Sequence, residues 1–281
     1  VAAVRSGADA VYLGMGDFNA RRNAHNFTPQ TIREAVEYCH IRGVKVYLTL
    51  NTLVYNEEIS AAMTLADQAV SAGVDGFILA DLGLTAAIGK KFPTLPLHAS
   101  TQLTVHTADA LEELKNLGFS RVVPSREMSK SELVVFCQKA KELEIEVEVF
   151  IHGALCMSMS GQCLMSATLG GRSGNRGLCA GTCRLPWKGG NRDYALSLRD
   201  LSLIEHIKEL ENMGVCSFKI EGRMKAPEYV AAVTAACRSA ADNGTPDPEL
   251  MKLCEDIFSR SGFTKGYYEG EITPDMFGIR T

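Results

Sequence analysis

Seven short runs rich in apolar and β-branched residues alternate with amphipathic stretches along most of the chain. They are Ala10–Met15, Val44–Asn51, Gly76–Asp81, Leu97–Ser100, Arg121–Ser125, Ile145–Gly153 and Cys216–Gly222. Between them, Thr28–Arg42, Glu57–Ala72, Asp109–Leu117 and Lys130–Leu143 repeat apolar residues at helical spacing. Several of these segments end in R-G-V, A-G-V or L-G-F, a glycine that closes a helix just before the next run. Strands that alternate with helices over short connections pair in parallel, because a parallel neighbour requires a crossover. The expected fold class is α/β, a (β/α)8 TIM-like barrel, with a doubly wound open sheet as the alternative. The chain opens in a helical segment, Val1–Ser6, that leads directly to the first run, so the barrel is expected to lack its first strand here. Residues 1–262 are assigned to the barrel, with one or two covering helices from Ala226 to about Ser261. Residues 263–281 are assigned to a tail or to the start of a further domain.

The chemistry is expected in one window of the barrel. No Asp or Glu occurs between Glu148 and Asp193, and the same stretch holds Cys156, Cys163, Cys179 and Cys183, four of the nine cysteines. It also carries Arg172, Arg176, Arg184, Lys188, Arg192 and the glycine-rich run Gly170–Gly177. Four thiols in one connected stretch can converge on a metal centre, and cations with glycine N–H groups suit the charge of thiolates or of an anionic substrate. The spacing C-x6-C-x15-C-x3-C lacks the C-x2-C knuckles of structural zinc and suits a larger cluster better, with zinc as the alternative. Cys39, Cys137, Cys237 and Cys254 fall in helical patterns and read as buried apolar residues. Cys216 opens the last run and stands as an alternative fourth ligand.

The cysteine loop, about residues 154–192, follows the run Ile145–Gly153 and so belongs at the barrel's C-terminal rim, where active sites are built. Polar residues ending other runs face the same rim: Asn51, Asp81, His98 with Gln102, Arg126 with Glu127, His152, and Lys219 with Glu221 and Arg223. His152 reads as a proton donor or as a hydrogen-bonded structural imidazole. Arg172 and Arg176 read as a clamp for carboxylate or phosphate, or as salt bridges to Glu221 or Glu127. A net charge of −4 excludes a wholly basic nucleic-acid binder, so any RNA contact must use the local basic loop. No apolar stretch reaches membrane-spanning length. Nine cysteines without an export signal fit reduced thiols and a cytoplasmic protein.

The stretches Glu148–Cys156, Ser160–Cys163, Gly171–Cys179 and Cys183–Arg184 together resemble the signature of the peptidase U32, or collagenase-like protease, family. Gly7–Gly14, Phe18–Arg21 with Asn26–Phe27, Thr49–Leu53, Ser125–Glu127 and Lys219–Lys225 agree with it. The Phe18–Phe27 block is most similar to the longer, multidomain members, which implies further domains in a longer parent chain. The resemblance implies a 4Fe-4S cluster on the loop cysteines and oxygen-independent hydroxylation of an RNA base or a ubiquinone precursor, with a prephenate-type dicarboxylate as oxygen donor. On that reading Arg172, Arg176, Arg126 and Asn51 bind substrate or donor, while His152, Glu221 and Glu127 orient water or move protons. Collagenase-like proteolysis is the alternative the family name carries; a structural zinc module contacting RNA is the second. The sequence has neither a G-x-S-x-G elbow nor an H-E-x-x-H helix, which weighs against proteolysis.

Overall fold

A computed structural model of the chain describes residues 1–279. Its strands are β1 (Ala10–Gly14), β2 (Lys45–Leu50), β3 (Gly76–Leu79), β4 (Leu97–Ala99), β5 (Phe119–Val122), β6 (Glu146–Ala154), β7 (Asp200–Ser202), β8 (Val215–Ile220) and β9 (Phe263–Thr264). Its helices are α1 (Ala2–Arg5), α2 (Pro29–His40), α3 (Ile59–Ala72), α4 (Leu82–Lys91), α5 (Leu111–Asn116), α6 (Lys130–Glu142), α7 (Met165–Gly170), α8 (Ile207–Met213), α9 (Pro227–Asn243), α10 (Pro248–Ile257) and α11 (Gly266–Glu269).

The seven expected runs all become strands, β1 to β6 and β8, each parallel to its neighbour in the order β1-β2-β3-β4-β5-β6-β8. Helices cover the outside, so the strands are apolar on both faces, and β3 is buried along its whole length. Small residues let the helices approach: Ala62, Ala66 and Ala69 on α3 are fully buried. The helix signals fold as their chemistry requires. Ser129 caps α6 and receives the reciprocal contact from Glu132, Asp81 caps α4, and Gly73 ends α3 at φ 93°.

Between β8 and β1 there is no ladder among the described residues. The seam is joined by a side chain instead, the Tyr12 hydroxyl donating to the Ile220 carbonyl at 2.9 Å. Two features depart from the sequence reading. A three-residue strand, β7, too short to show a period, pairs antiparallel with the end of β6. The assigned tail is part of the same body, because β9 pairs with β7 and Tyr268 and Met276 are buried in the common core. The Arg199 and Gly278 N–H groups donate to the Met276 and Ser197 carbonyls, which completes that docking through residue 278.

The candidate metal centre and the cavity beneath it

The strand ends at the C-terminal rim surround a cavity open to solvent on one side, lined among others by Tyr12, Arg21, Asn51, Arg126, Lys219, Glu221 and Arg223. Four cations thus face one lining carboxylate, Glu221. Burial would raise the Glu221 carboxyl, but Arg21, Arg223 and Arg126 outweigh it and hold the group down at about 2. Arg21 Nη2 lies 3.2 Å from Glu221 Oε2. Lys219 is compensated from below by Glu148, at 2.9 Å, so the guanidiniums remain as the uncompensated charge. Glu221 Oε1, Arg126 Nε and Arg223 Nε are buried without a hydrogen-bond partner. Unmet donors beside excess positive charge fit a small anion with several acceptor oxygens.

The cysteine loop is tied to four rim segments. Thr104 Oγ1 donates to the Ser160 carbonyl at 2.7 Å, and Ser160 Oγ donates to Glu127 Oε1 at 3.2 Å. Arg176 forms a two-oxygen pair with Glu58 and also donates to the Leu53 carbonyl at 2.7 Å, its guanidinium lying 4.4 Å from the Tyr55 ring centroid. Gly177 adopts φ 78°, and a Cβ there would run into the Asn19 carbonyl, so only glycine allows this approach to the β1–α2 connection.

Cys156, Cys163, Cys179 and Cys183 are all free thiols in this loop. Burial raises the Cys183 thiol, Arg184 opposes it, and the thiols of Cys156, Cys179 and Cys163 raise it further, so the four share one electrostatic neighbourhood. The Gly181 N–H points at Cys179 Sγ, 3.3 Å away. Among the described residues no three His, Cys, Asp or Glu side chains close around a single ion. A polynuclear cluster holds its thiolates farther apart than one ion does, and four thiols flanked by Arg21 and Arg184 match the charge and donor type it needs.

The remaining expected residues divide. Arg126 lines the cavity, donating to the Ala154 carbonyl at 2.5 Å with its guanidinium over Phe150. Asn51 lines it too, but both ends of its amide are used: Oδ1 accepts the Ala20 N–H and Nδ2 donates to Ser100 Oγ, each at 3.0 Å. It therefore sets the loop before Arg21. Glu127 stands under the cysteine loop, with Oε2 buried and unpartnered. Glu221 pairs with Arg21 and is held ionised by the arginines around it.

Several expectations are corrected. Cys216 cannot be a ligand beside the other four. It sits at the start of β8 with its thiol on the Val147 carbonyl, while the rim begins past Ile220, about 16 Å along the strand. His152 does not face the cavity. Ile151 is an extra residue in the β6–β8 register, and the resulting bulge turns His152 outward against Tyr229 and Phe263. Its Nδ1 meets the Tyr229 hydroxyl at 2.9 Å, and burial holds it neutral with a pKa of about 3. Arg172 is exposed and outside the cavity lining. Arg176 is engaged by Glu58, neither of the expected partners, and ties the loop to that segment.

Arg21 and Tyr12 were not singled out as site residues by pattern. Tyr12 sits inside a strand, and Arg21 lies in an irregular connection whose only signal was its place in the Phe18–Arg21 segment. Glu148 was legible in retrospect as an acid in the middle of an apolar strand.

Comparison with known proteins shows what the chain is similar to. The chain is 38% identical over 248 residues to the 23S rRNA 5-hydroxycytidine C2501 synthase of Escherichia coli, covering 85% of this chain and 37% of that one. It is 37% identical over 261 residues to tRNA hydroxylation protein P1 of Bacillus subtilis, covering 88% of this chain and 61% of that one. It is 34% identical over 297 residues to a protein named collagenase from Porphyromonas gingivalis, covering 96% and 71%. The chain thus spans less than two thirds of the length of each of the first two relatives. A family profile matches residues 1–276 from end to end, and on that match the chain belongs to peptidase family U32.

Proposed function

We propose that this chain is the catalytic barrel of an RNA-base hydroxylase, with a four-iron cluster on Cys156, Cys163, Cys179 and Cys183 and a small carboxylate oxygen donor in the mouth cavity. The observation that carries the reading is that four loop thiols share one neighbourhood and that Arg21, on the wall of the arginine-lined cavity, lies within the electrostatic reach of two of them, Cys156 and Cys179. Names of the relatives that modify rRNA and tRNA support it.

When bound, the cluster would supply one-electron redox chemistry. The chain's own residues do the rest. Arg21, Arg126 and Arg223 neutralise the donor's carboxylates, which would cost several kcal/mol each if buried unpaired. Glu221 keeps those guanidiniums aimed at the cavity, and Asn51 fixes the backbone that carries Arg21. The loop is held at the rim by Arg176 on Glu58. RNA would approach over the acid-free face of the loop, where Arg172 and Lys188 are exposed.

The peptidase reading has less support. The cavity lining contains neither a Cys, a Ser paired with His, nor a metal-ligand triad. The test is to reconstitute the protein anaerobically and assay RNA nucleosides by mass spectrometry alongside peptide cleavage. A hydroxylated nucleoside that depends on the cluster and on an added donor is the expected result. Cleavage that survives Cys179→Ala, with no hydroxylated nucleoside from the unaltered protein, would sink the proposal.

A further inference from the structure

Arg21 belongs to two sites at once. Its guanidinium stands 3.2 Å from Glu221 at the cavity wall. Its pKa is raised first by Glu221 and, more weakly, by Tyr12 and the thiols of Cys156 and Cys179. The backbone brings the two sites together independently of any charge. Gly177, two residues before Cys179, lies against the Asn19 carbonyl and the Arg22 backbone nitrogen. Asn19 Oδ1 in turn accepts the Arg21 N–H at 2.9 Å. The Arg21 side chain is 28% exposed, so water screens it only in part. Arg223, which also faces Glu221, donates to Thr49, and Glu221, Tyr12 and Arg21 are the charged and polar groups that act on it most.

Arginine does not lose its proton in a protein. Its charge can only be shared among the anions around it. An anion in the cavity stands on one side of Arg21, and the thiolates of the loop stand on the other.

We propose that Arg21 couples the two sites, its single positive charge serving both a carboxylate bound in the cavity and the cluster held by Cys156 and Cys179. The inference rests on the cluster reading above. Adding an electron to the cluster places negative charge beside Arg21, and a bound carboxylate does the same from the cavity. The two draw on one cation, so each weakens the other. The carboxylate binds less tightly to the reduced protein than to the oxidised one. By reciprocity, the bound carboxylate makes the cluster harder to reduce. Electron delivery and release of the spent carboxylate are thereby linked without any moving part.

The test uses malonate as the probe on anaerobically reconstituted protein, with calorimetry for affinity and spectroelectrochemical titration for the midpoint potential. We expect malonate to bind about tenfold more weakly to the reduced protein, which equals a fall in potential of about 59 mV at saturation for a one-electron couple. Arg21→Gln is expected to lower the potential without malonate and to abolish the malonate-dependent shift, whereas Arg21→Lys keeps both in part. The comparison of oxidised with reduced unaltered protein needs no variant, so a poorly folding Arg21→Gln does not block the test. Absence of malonate binding, equal affinity for both redox states, or an undiminished shift in Arg21→Gln would each overturn the coupling while leaving the cluster reading intact. A protein that takes up neither iron nor sulfide overturns that reading and this inference with it.

Discussion

Lys219 Nζ donates a 2.9 Å hydrogen bond to Glu148 Oε2 inside the barrel, with the two side chains 7% and 8% exposed. Ser217 adds a second hydrogen bond to the same carboxylate at 2.8 Å. Removing one member leaves the other charge buried alone, which typically costs about 3–5 kcal/mol. Glu148→Ala is therefore expected to lower stability by roughly that amount, far more than a surface acid such as Glu142. Urea denaturation of the two variants side by side measures the difference.

Glu221 makes stability depend on acid pH in a stated direction. Its folded pKa of about 2 lies below the ordinary 4.5, so its contribution is fully present above 4.5 and is lost as pH falls toward 2. The full effect is on the order of 3 kcal/mol, because each tenfold change in proton affinity is worth about 1.4 kcal/mol. Stability of unaltered protein and Glu221→Gln, followed from pH 6 to pH 2, should converge across that window. Parallel curves would contradict the arginine-held carboxylate.

Cys216 and Cys183 should separate cleanly in metal analysis. Cys183→Ala is expected to lose most bound iron and sulfide, while Cys216→Ala retains them, because Cys216 lies at the far end of β8. Anaerobic reconstitution with iron and sulfide quantitation settles the comparison in one preparation each.

Gly177→Ala tests the docking of the cysteine loop. The added methyl meets the Asn19 carbonyl at a positive φ, so the loop must lift from the β1–α2 connection. Trp187, the one tryptophan, sits in this loop with its indole N–H on the Thr182 carbonyl at 2.7 Å. A shift in its emission, with faster proteolytic nicking between residues 156 and 192, is the expected outcome.

His152→Gln should act on stability and leave the pH profile of activity unmoved. The imidazole is neutral near pH 7 and packed against Tyr229 away from the cavity. Losing the partner of a buried hydroxyl costs about 1–3 kcal/mol. A change in the kinetic pKa on this substitution would show that His152 reaches the substrate after all.

Much of the architecture was readable because parallel strands buried on both faces are mostly apolar, as Val46–Leu50 and Gly76–Leu79 are. The loop cysteines were readable because thiols crowded into an acid-free stretch have few other uses. What escaped the reading was set by geometry that sequence spacing does not carry. Arg176 meets Glu58 across 118 positions of chain, and Arg21 reaches Glu221 from an irregular loop. His152 was placed at the correct strand end, but its direction depends on a register defect between β6 and β8 that no period reveals. Residues 263–278 resembled a tail because their strand is only two residues long and finds its partner in a strand of three.

Strand side chains alternate faces, so every position beyond Ile151 is set by whether one residue is counted in or out. Plain alternation through Ile151 would carry the inward face of Glu148 and Phe150 on to His152, whereas the bulge, like a deletion of Ile151, leaves His152 opposite Ile220 on the outer face. One uncounted residue thus lets neighbouring strands present Glu221 to the arginines of the mouth while the imidazole beside it stays in the outer packing against Tyr229.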